Sequence, residues 1–276
     1  MKKSIIILLV FFIGSIGYCQ SKDKIKGNRE VVSIAMDLDK NFNALEIDDN
    51  ITVSLSQGNK NSYILTTDKN LVDEVQFVVV NDVLKIFTSK KISSFKKLEV
   101  NLKVSGIDQI ILKDDAIIKS DRKLSFENIL IDGNDSSKFD MELEADDVQI
   151  KMYKNADGKI NIKAKNLQVE MKDRTDLKGK INTDNLKATL KNRAQLTLSG
   201  GDSKNSEFRL EDSADLDAKK MDSKTAVLFS SNNSDVNIRA SRKLEVTSEG
   251  KSKIYVYGKA DVQLTGFSDK SKIIKK

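Results

Sequence analysis

No proline, histidine or tryptophan occurs anywhere in the chain, and Cys19 is its one cysteine. Each absence closes off a class of structure or chemistry. Proline cannot donate to a β-ladder, so its absence suits long, uninterrupted sheet. Without histidine the usual general base and the commonest metal ligand are gone. Ser-His-Asp and Cys-His nucleophilic arrangements are therefore excluded, and a structural zinc site has neither imidazoles nor a set of thiolates to hold it. Aromatic residues make up 6% of the chain, too few for a platform on which nucleic-acid bases stack. No phosphate-cradling P-loop is present; Ser199-Gly200-Gly201-Asp202 falls where the repeat spacing described below puts a turn between coils. Charge of one sign does not accumulate either. The 47 Lys and Arg are interspersed with 41 Asp and Glu, for a net charge of +6, which marks a solvated surface rather than a nucleic-acid stripe.

What is present begins with an export signal. Met1-Lys2-Lys3 is a short positive segment, Ile5 to Ile16 is apolar, and Gly17-Tyr18-Cys19 ends the run with small residues at the −3 and −1 positions. The pattern predicts a signal peptide over residues 1–19, cleaved after Cys19 to leave Gln20 first. A second processing route, lipidation of Cys19, stays open, although the bulky Tyr18 precedes it. The apolar run is too short for a transmembrane helix, so the mature chain is expected to have no transmembrane segment. It is expected in the periplasm, at the outer-membrane surface or outside the cell. With Cys19 removed no disulfide is available, and stability must come from packing and backbone pairing.

The dominant feature is a repeat. Anchor residues Leu112, Gly133, Met152, Met171, Leu190, Leu210, Ser230 and Ser248 stand at successive spacings of 21, 19, 19, 19, 20, 20 and 18. Four residues past each anchor comes a small residue: Ala116, Ser137, Ala156, Thr175, Ala194, Ala214, Ser234 and Ser252. Six past the anchor the side chain is apolar in every unit except at Gly158, and two before it the side chain is always apolar. Each unit reads as two short strands of period-two alternation flanking a polar turn. A unit of this size cannot bury its own apolar face, whereas stacked units share a continuous core. The small column fits a tight inward corner, and eight such residues in register argue against an antiparallel sandwich.

The expected fold is therefore all-β, a single-stranded parallel β-helix (β-solenoid) of about eight regular coils of 18–21 residues with an irregular N-terminal β cap. The cap, or first irregular coils, spans 30–100, the repeats span 101–267 in one continuous domain with it, and 268–276 is a basic tail. Within the cap, Leu45, Ile47, Ile51, Val53 and Leu55 read as strands around Asp48-Asp49-Asn50, Asp68 to Val72 as one helical turn, and Asn81-Asp82 as a hairpin turn. Charge in the tail would discourage end-to-end stacking.

Several N-terminal segments carry a family resemblance: Phe42, Leu45-Glu46-Ile47, Ile51-Thr52-Val53-Ser54-Leu55-Ser56-Gln57-Gly58, Asp68, Asn70-Leu71, Leu84-Lys85-Ile86 and Lys97-Leu98-Glu99-Val100-Asn101-Leu102. Over about residues 40–260 the chain resembles the auto-transporter adhesin "head GIN domain" family of exported bacterial proteins. The resemblance implies adhesion and brings no catalytic residues with it. The family's repeats carry Gly-Gly-Ser-Asp-like turns. Here Lys172-Asp173-Arg174 and Lys191-Asn192-Arg193 stand in place of the glycines, a departure that bears on turn geometry more than on fold.

Two surface features invite a site. Asp157 and Asp176 would be neighbours in adjacent coils, as would Asp215 and Asp235, with Gln195 between the pairs. Carboxylates about 4.8 Å apart repel by roughly 1 kcal/mol in water, which calcium would relieve. Against that, Asp residues cap turns through their own backbone, and Arg174 and Arg193 lie in the same loops. The competing account favours no metal and no cofactor. Lys163, Lys165, Lys178, Lys180 and Lys187 are expected on one side of the middle coils, with Glu170 and Asp184 beside them. Such a face suits acidic polysaccharide, lipopolysaccharide or a protein. The leading expectation is a non-enzymatic binding or adhesion module for glycan or cell-surface partners. A structural envelope protein assembling with a protein partner is the alternative. A polysaccharide-active enzyme using paired carboxylates is more remote, because the even repeats leave no room for a cleft.

Overall fold

Strict apolar alternation without a single proline produces strands that run almost all the way around each coil. The computed structural model describes residues 22–276; the predicted signal peptide with Cys19 lies outside them. The N-terminal part comprises β1 (Lys24–Lys26), β2 (Val31–Asp37), β3 (Ala44–Ile47), β4 (Thr52–Gln57), β5 (Ser62–Asp68), β6 (Val75–Val80), β7 (Val83–Thr88), β8 (Lys91–Ser94) and β9 (Leu98–Val104). The shaft opens with β10 (Gln109–Leu112), β11 (Ile117–Ser120), β12 (Leu124–Ser125) and β13 (Asn128–Gly133). Six long strands follow: β14 (Lys138–Met152), β15 (Asp157–Met171), β16 (Asp176–Leu190), β17 (Gln195–Leu210), β18 (Asp215–Ser230) and β19 (Asp235–Ser248). It closes with β20 (Lys253–Tyr257), β21 (Asp261–Phe267) and β22 (Lys272–Lys275). From β10 onward every inter-coil pairing is parallel, and the β14–β15 and β15–β16 pairs are each displaced by 19 residues. The solenoid expected from the repeat is the fold.

The two short strands expected in neighbouring units are joined. In β14 and β15 the front arm, from turn to bend, continues into the back arm, from bend to the next turn. The ladder skips Asp146, Lys165 and Asp184 at the bend. These skipped residues pair across coils, Lys165 with Asp146 and Lys204 with Asp184, each at 2.8 Å. Both arms turn their apolar side chains inward, so that Ile150, Val169 and Leu190 are fully buried.

The turn on the opposite side has one backbone requirement. One residue per turn is left-handed: Asp114, Asp135, Lys154, Asp173, Asn192, Asp212, Asn232, Gly250 and Asp269, with φ between 51° and 78°. Seven of the nine are Asp or Asn, the non-glycine residues that tolerate this region best, and Gly250 is the one glycine among them. From Asp135 onward the residue after each one donates its N–H to the left-handed residue's carbonyl one coil back, as Arg193 does to Asp173 at 3.0 Å. Side chains add a second ladder: Lys154 Nζ to Asp135 at 2.5 Å, Asn192 Nδ2 to Asp173 at 2.8 Å and Asn232 Nδ2 to Asp212 at 3.0 Å. Two residues further on, the small column from Ala116 to Ser252 points inward and is at most 1% exposed.

The region before the shaft is not all cap. β3 and β4 form a coil of the same kind around left-handed Asp49, stacked directly on β10 and β11. On its other side lie β7 and β9. β5 and then β2 extend the front arm antiparallel, and β6 extends the back arm antiparallel. Asn81 and Asp82, at φ 51° and 61°, make the tight β6–β7 turn, and Lys69–Glu74 is a 3-10 helix. At the far end, Lys272–Lys275 of the basic segment pair with β20 as the last strand of the shaft, beyond a ninth turn at Asp269.

Replacing Asn192 with valine forces a β-branched residue into the left-handed region and is expected to destabilise the protein by about 1–2 kcal/mol. Asn192→Gly is expected to cost less, and denaturant midpoints of the two variants read the difference directly.

Candidate functional site

Because the coils are in register, any residue type that recurs at one position becomes a ladder on the surface. Just past the bend, Asn128, Asp147, Asn166, Asn185 and Asn205 stand opposite one another on successive back arms. All five are exposed. Asn166 Nδ2 donates to Asp147 Oδ1 at 2.7 Å, Asn185 Nδ2 to Asn166 Oδ1 at 2.9 Å, and Asn205 Nδ2 to Asn185 Oδ1 at 3.0 Å. An amide has two N–H donors and two acceptor lone pairs. Asn166 and Asn185 thus each spend one donor and one lone pair on their neighbours and keep one of each.

Two residues further along the arms, Gln149, Gln168, Lys187 and Glu207 form a second ladder. Lys187 and Glu207 pair at 3.3 Å. Between the two ladders runs a groove of about 810 Å³ that crosses the coils lengthwise. Ile129, Val148, Leu167 and Leu186 fill the position between, turned inward and buried. The groove therefore has walls of amide and mixed charge over a packed floor, with the half-buried Leu130 and Val227 continuing the second ladder at its two ends. The signal was legible in the sequence, since each of the five residues lies five positions before its anchor.

The five lysines expected on one face are distributed around the coil. Lys178 and Lys180 lie on the front arm of β16, Lys163 near the end of the front arm of β15, Lys165 at the bend and Lys187 in the groove wall. Four are paired: Lys163 with Glu144 at 2.7 Å, Lys165 with Asp146 at 2.8 Å, Lys178 with Asp176 at 2.7 Å, and Lys187 with Glu207. Hydrogen bonds from Lys123 and Lys163 hold the Glu144 carboxyl down at about 2. Lys180 alone of the five pairs with no carboxylate among the described residues.

The four aspartates sit as neighbours at the start of the front arms, Asp157 opposite Asp176 and Asp215 opposite Asp235, with Gln195 between the pairs. Lys138 approaches Asp157 at 3.8 Å and Lys253 approaches Asp235 at 3.8 Å. Each pair offers two carboxylates, whereas calcium takes about six to eight oxygens, and among the described residues no three acidic or thiol groups converge. Burial, then the neighbouring Asp235 and Asp217 carboxylates, push the Asp215 carboxyl above its ordinary range. The folded chain holds that proton more tightly than the unfolded chain. Ionising Asp215 thus opposes folding at neutral pH and stops doing so below the ordinary carboxylate range. Asp215→Asn is expected to raise stability at neutral pH, with the gain shrinking as pH falls through the raised value; thermal melts across that range check it.

Three solved bacterial structures share the fold. A "putative adhesin" from Parabacteroides merdae superposes with a TM-score of 0.69 at 17% identity, covering 92% of this chain and 99% of its own. A second "putative adhesin", from Parabacteroides distasonis, gives 0.64 at 17% identity, covering 92% and 98%. A "putative lipid binding protein" from the same species gives 0.63 at 13% identity, covering 92% and 100%. The sequence matches no curated protein. The family model described as "Putative auto-transporter adhesin, head GIN domain" matches residues 41–161 and again 154–260. Those two matches run from the coil of β3 and β4 to just past β20, and the chain belongs to that family.

Proposed function

We propose that the protein is an exported, non-catalytic adhesion module that takes an extended glycan chain along the back-arm groove. The observation that carries this reading is the asparagine ladder. It places outward-facing amides at intervals of about 4.8 Å over at least three coils, Asn166 to Asn205. Sugar hydroxyls both donate and accept, and so do the unspent amide groups. Gln149, Gln168 and the Lys187–Glu207 pair add further polar partners on the facing wall. An apolar ligand of the kind implied by the name of the lipid-binding fold relative suits the middle of the groove less, because Gln149, Gln168, Lys187 and Glu207 line it there, while its two ends, at Leu130 and Val227, are apolar.

The family's adhesin description supports binding to a surface partner at a general level. No helix among the described residues is long and apolar enough to cross a membrane. Export rests on the N-terminal leader, and the ligand class rests on the groove.

A glycan array probed with the purified protein is expected to show binding to extended, unbranched chains. Asn166→Ala and Asn185→Ala are each expected to weaken it about fivefold, the equivalent of about 1 kcal/mol for a lost hydrogen bond. Binding to no glycan by protein shown to be folded, or binding that survives the double alanine variant, would sink the groove as the glycan site.

A further inference from the structure

The exposed large apolar side chains among the described residues are confined to the two ends of the solenoid. Six lie on β2, β5 and β6, with Met36 at 52%, Val80 at 46% and Ile64 at 44% the most open. The other three are Leu264, Phe267 and Ile274, on β21 and β22. The shaft between, from β10 to β20, carries none. Large apolar patches exposed in this way mark contact surfaces. Among the described residues both ends also present strands hydrogen-bonded on one side only: β2 and β6 at the first end, β21 and β22 at the other. Unpaired edges of this kind are templates for another chain.

Strand direction and charge decide which partner fits. β2 is antiparallel to β5, β5 is antiparallel to β9, and β9 is parallel to β4, so β2 runs in the same sense as the shaft. β22 pairs parallel with β20 and runs that way too. Moving a second copy along the solenoid axis therefore brings β2 of that copy against β22 as one more parallel strand. The front arms reach farthest at this end, since three strands (β9, β5, β2) lie beyond β4 and only two (β7, β6) lie beyond β3. β2 is thus the strand that makes contact.

The same contact joins opposite charges. β22 carries Lys272 and Lys275 between Lys270 and Lys276, while β2 follows Arg29 and Glu30 and ends at Asp37, with Asp39 and then Lys40 beyond. Lys275 lies opposite the buried Val256, a position whose side chain is directed toward the core. Two β22 edges meeting each other would set lysines against lysines, and like charges directly opposite are destabilising. The basic edge, expected from the sequence to discourage end-to-end stacking, does so only for two identical ends and leaves the β2 edge, which ends on Asp37, as its complement.

We infer that the protein assembles head to tail, with β22 of one copy adding in parallel to β2 of the next. Such a contact is heterologous and does not close, so it builds open rods rather than a fixed dimer. Rods would repeat the back-arm groove along their length, and joined sites bind a multivalent surface far more strongly than one site does. The assembly itself does not depend on what the groove binds.

The test uses the purified protein in sedimentation velocity and negative-stain electron microscopy over a concentration series at low and high salt. The expected result is a ladder of species growing by whole copies into end-to-end rods, shortened by high salt. Two exposed-site variants, Met36→Glu at one end and Ile274→Glu at the other, should each stop growth. Mixing the two should restore pairs but not rods, because each variant keeps one working end. A strict monomer at the highest soluble concentration overturns the inference. A discrete dimer that Ile274→Glu abolishes and Met36→Glu leaves intact also overturns it, in favour of two-fold pairing. Rods that survive both substitutions together overturn it by placing the contact elsewhere.

Discussion

A coil displaced by 19 residues from its neighbour encloses too little apolar surface to keep its own shape, so hydrogen bonds from each coil to the next, in strict register, hold the molecule together. Register has consequences on both sides of the backbone. Inside, it aligns the small residues from Ala116 to Ser252 into a column that lets the chain reverse tightly against the coils above and below. Outside, it turns one residue per coil into a continuous ladder. A one-residue slip would carry every inward side chain to the surface, which is why the spacing varies so little while the residue identities vary freely.

The turn shows how the chain meets this constraint with glycine at one reversal only, Gly250. Each reversal needs one left-handed residue, and Asp or Asn supplies it at most turns. A column of aspartates alone would accumulate like charge. Instead, donors alternate with acids, Lys154 after Asp135, Asn192 after Asp173 and Asn232 after Asp212, and each donor binds the carboxylate one coil away. The bend on the other side follows the same logic with Asp146, Lys165, Asp184 and Lys204.

The solenoid was legible in the sequence because period-two alternation and an 18–21-residue repeat have no other economical arrangement. The Asp48-Asp49-Asn50 reversal, the Asn81-Asp82 turn and the neighbouring aspartates of the front arms could be read the same way, from local chemistry and spacing. The fusion of neighbouring strands through a bend was not, because nothing such as glycine or proline punctuates Ala145 to Asp147. Nor was the insertion of the β3–β4 coil between the shaft and β7 with β9, since contacts so distant in the chain leave no periodic trace. The lysines divide among faces because their spacing follows the alternation of arms and not a single ladder. The asparagine ladder was visible in principle, at a fixed offset from each anchor, but asparagine at one position looks like ordinary surface until the coils are stacked.

In-register parallel stacking can be tested without reference to any ligand by cysteine cross-linking. Lys159 and Lys178 are direct partners on adjacent coils, while Thr197 is the partner of Lys178 one coil further on. With cysteines at 159 and 178, the Cα separation of about 4.8 Å lies within disulfide range, whereas cysteines at 159 and 197 would stand about 10 Å apart and out of reach. The account predicts rapid, near-complete oxidation of the first pair and none of the second. Cross-linking of the second pair, or of neither in folded protein, would contradict the register on which the groove and the rod both depend.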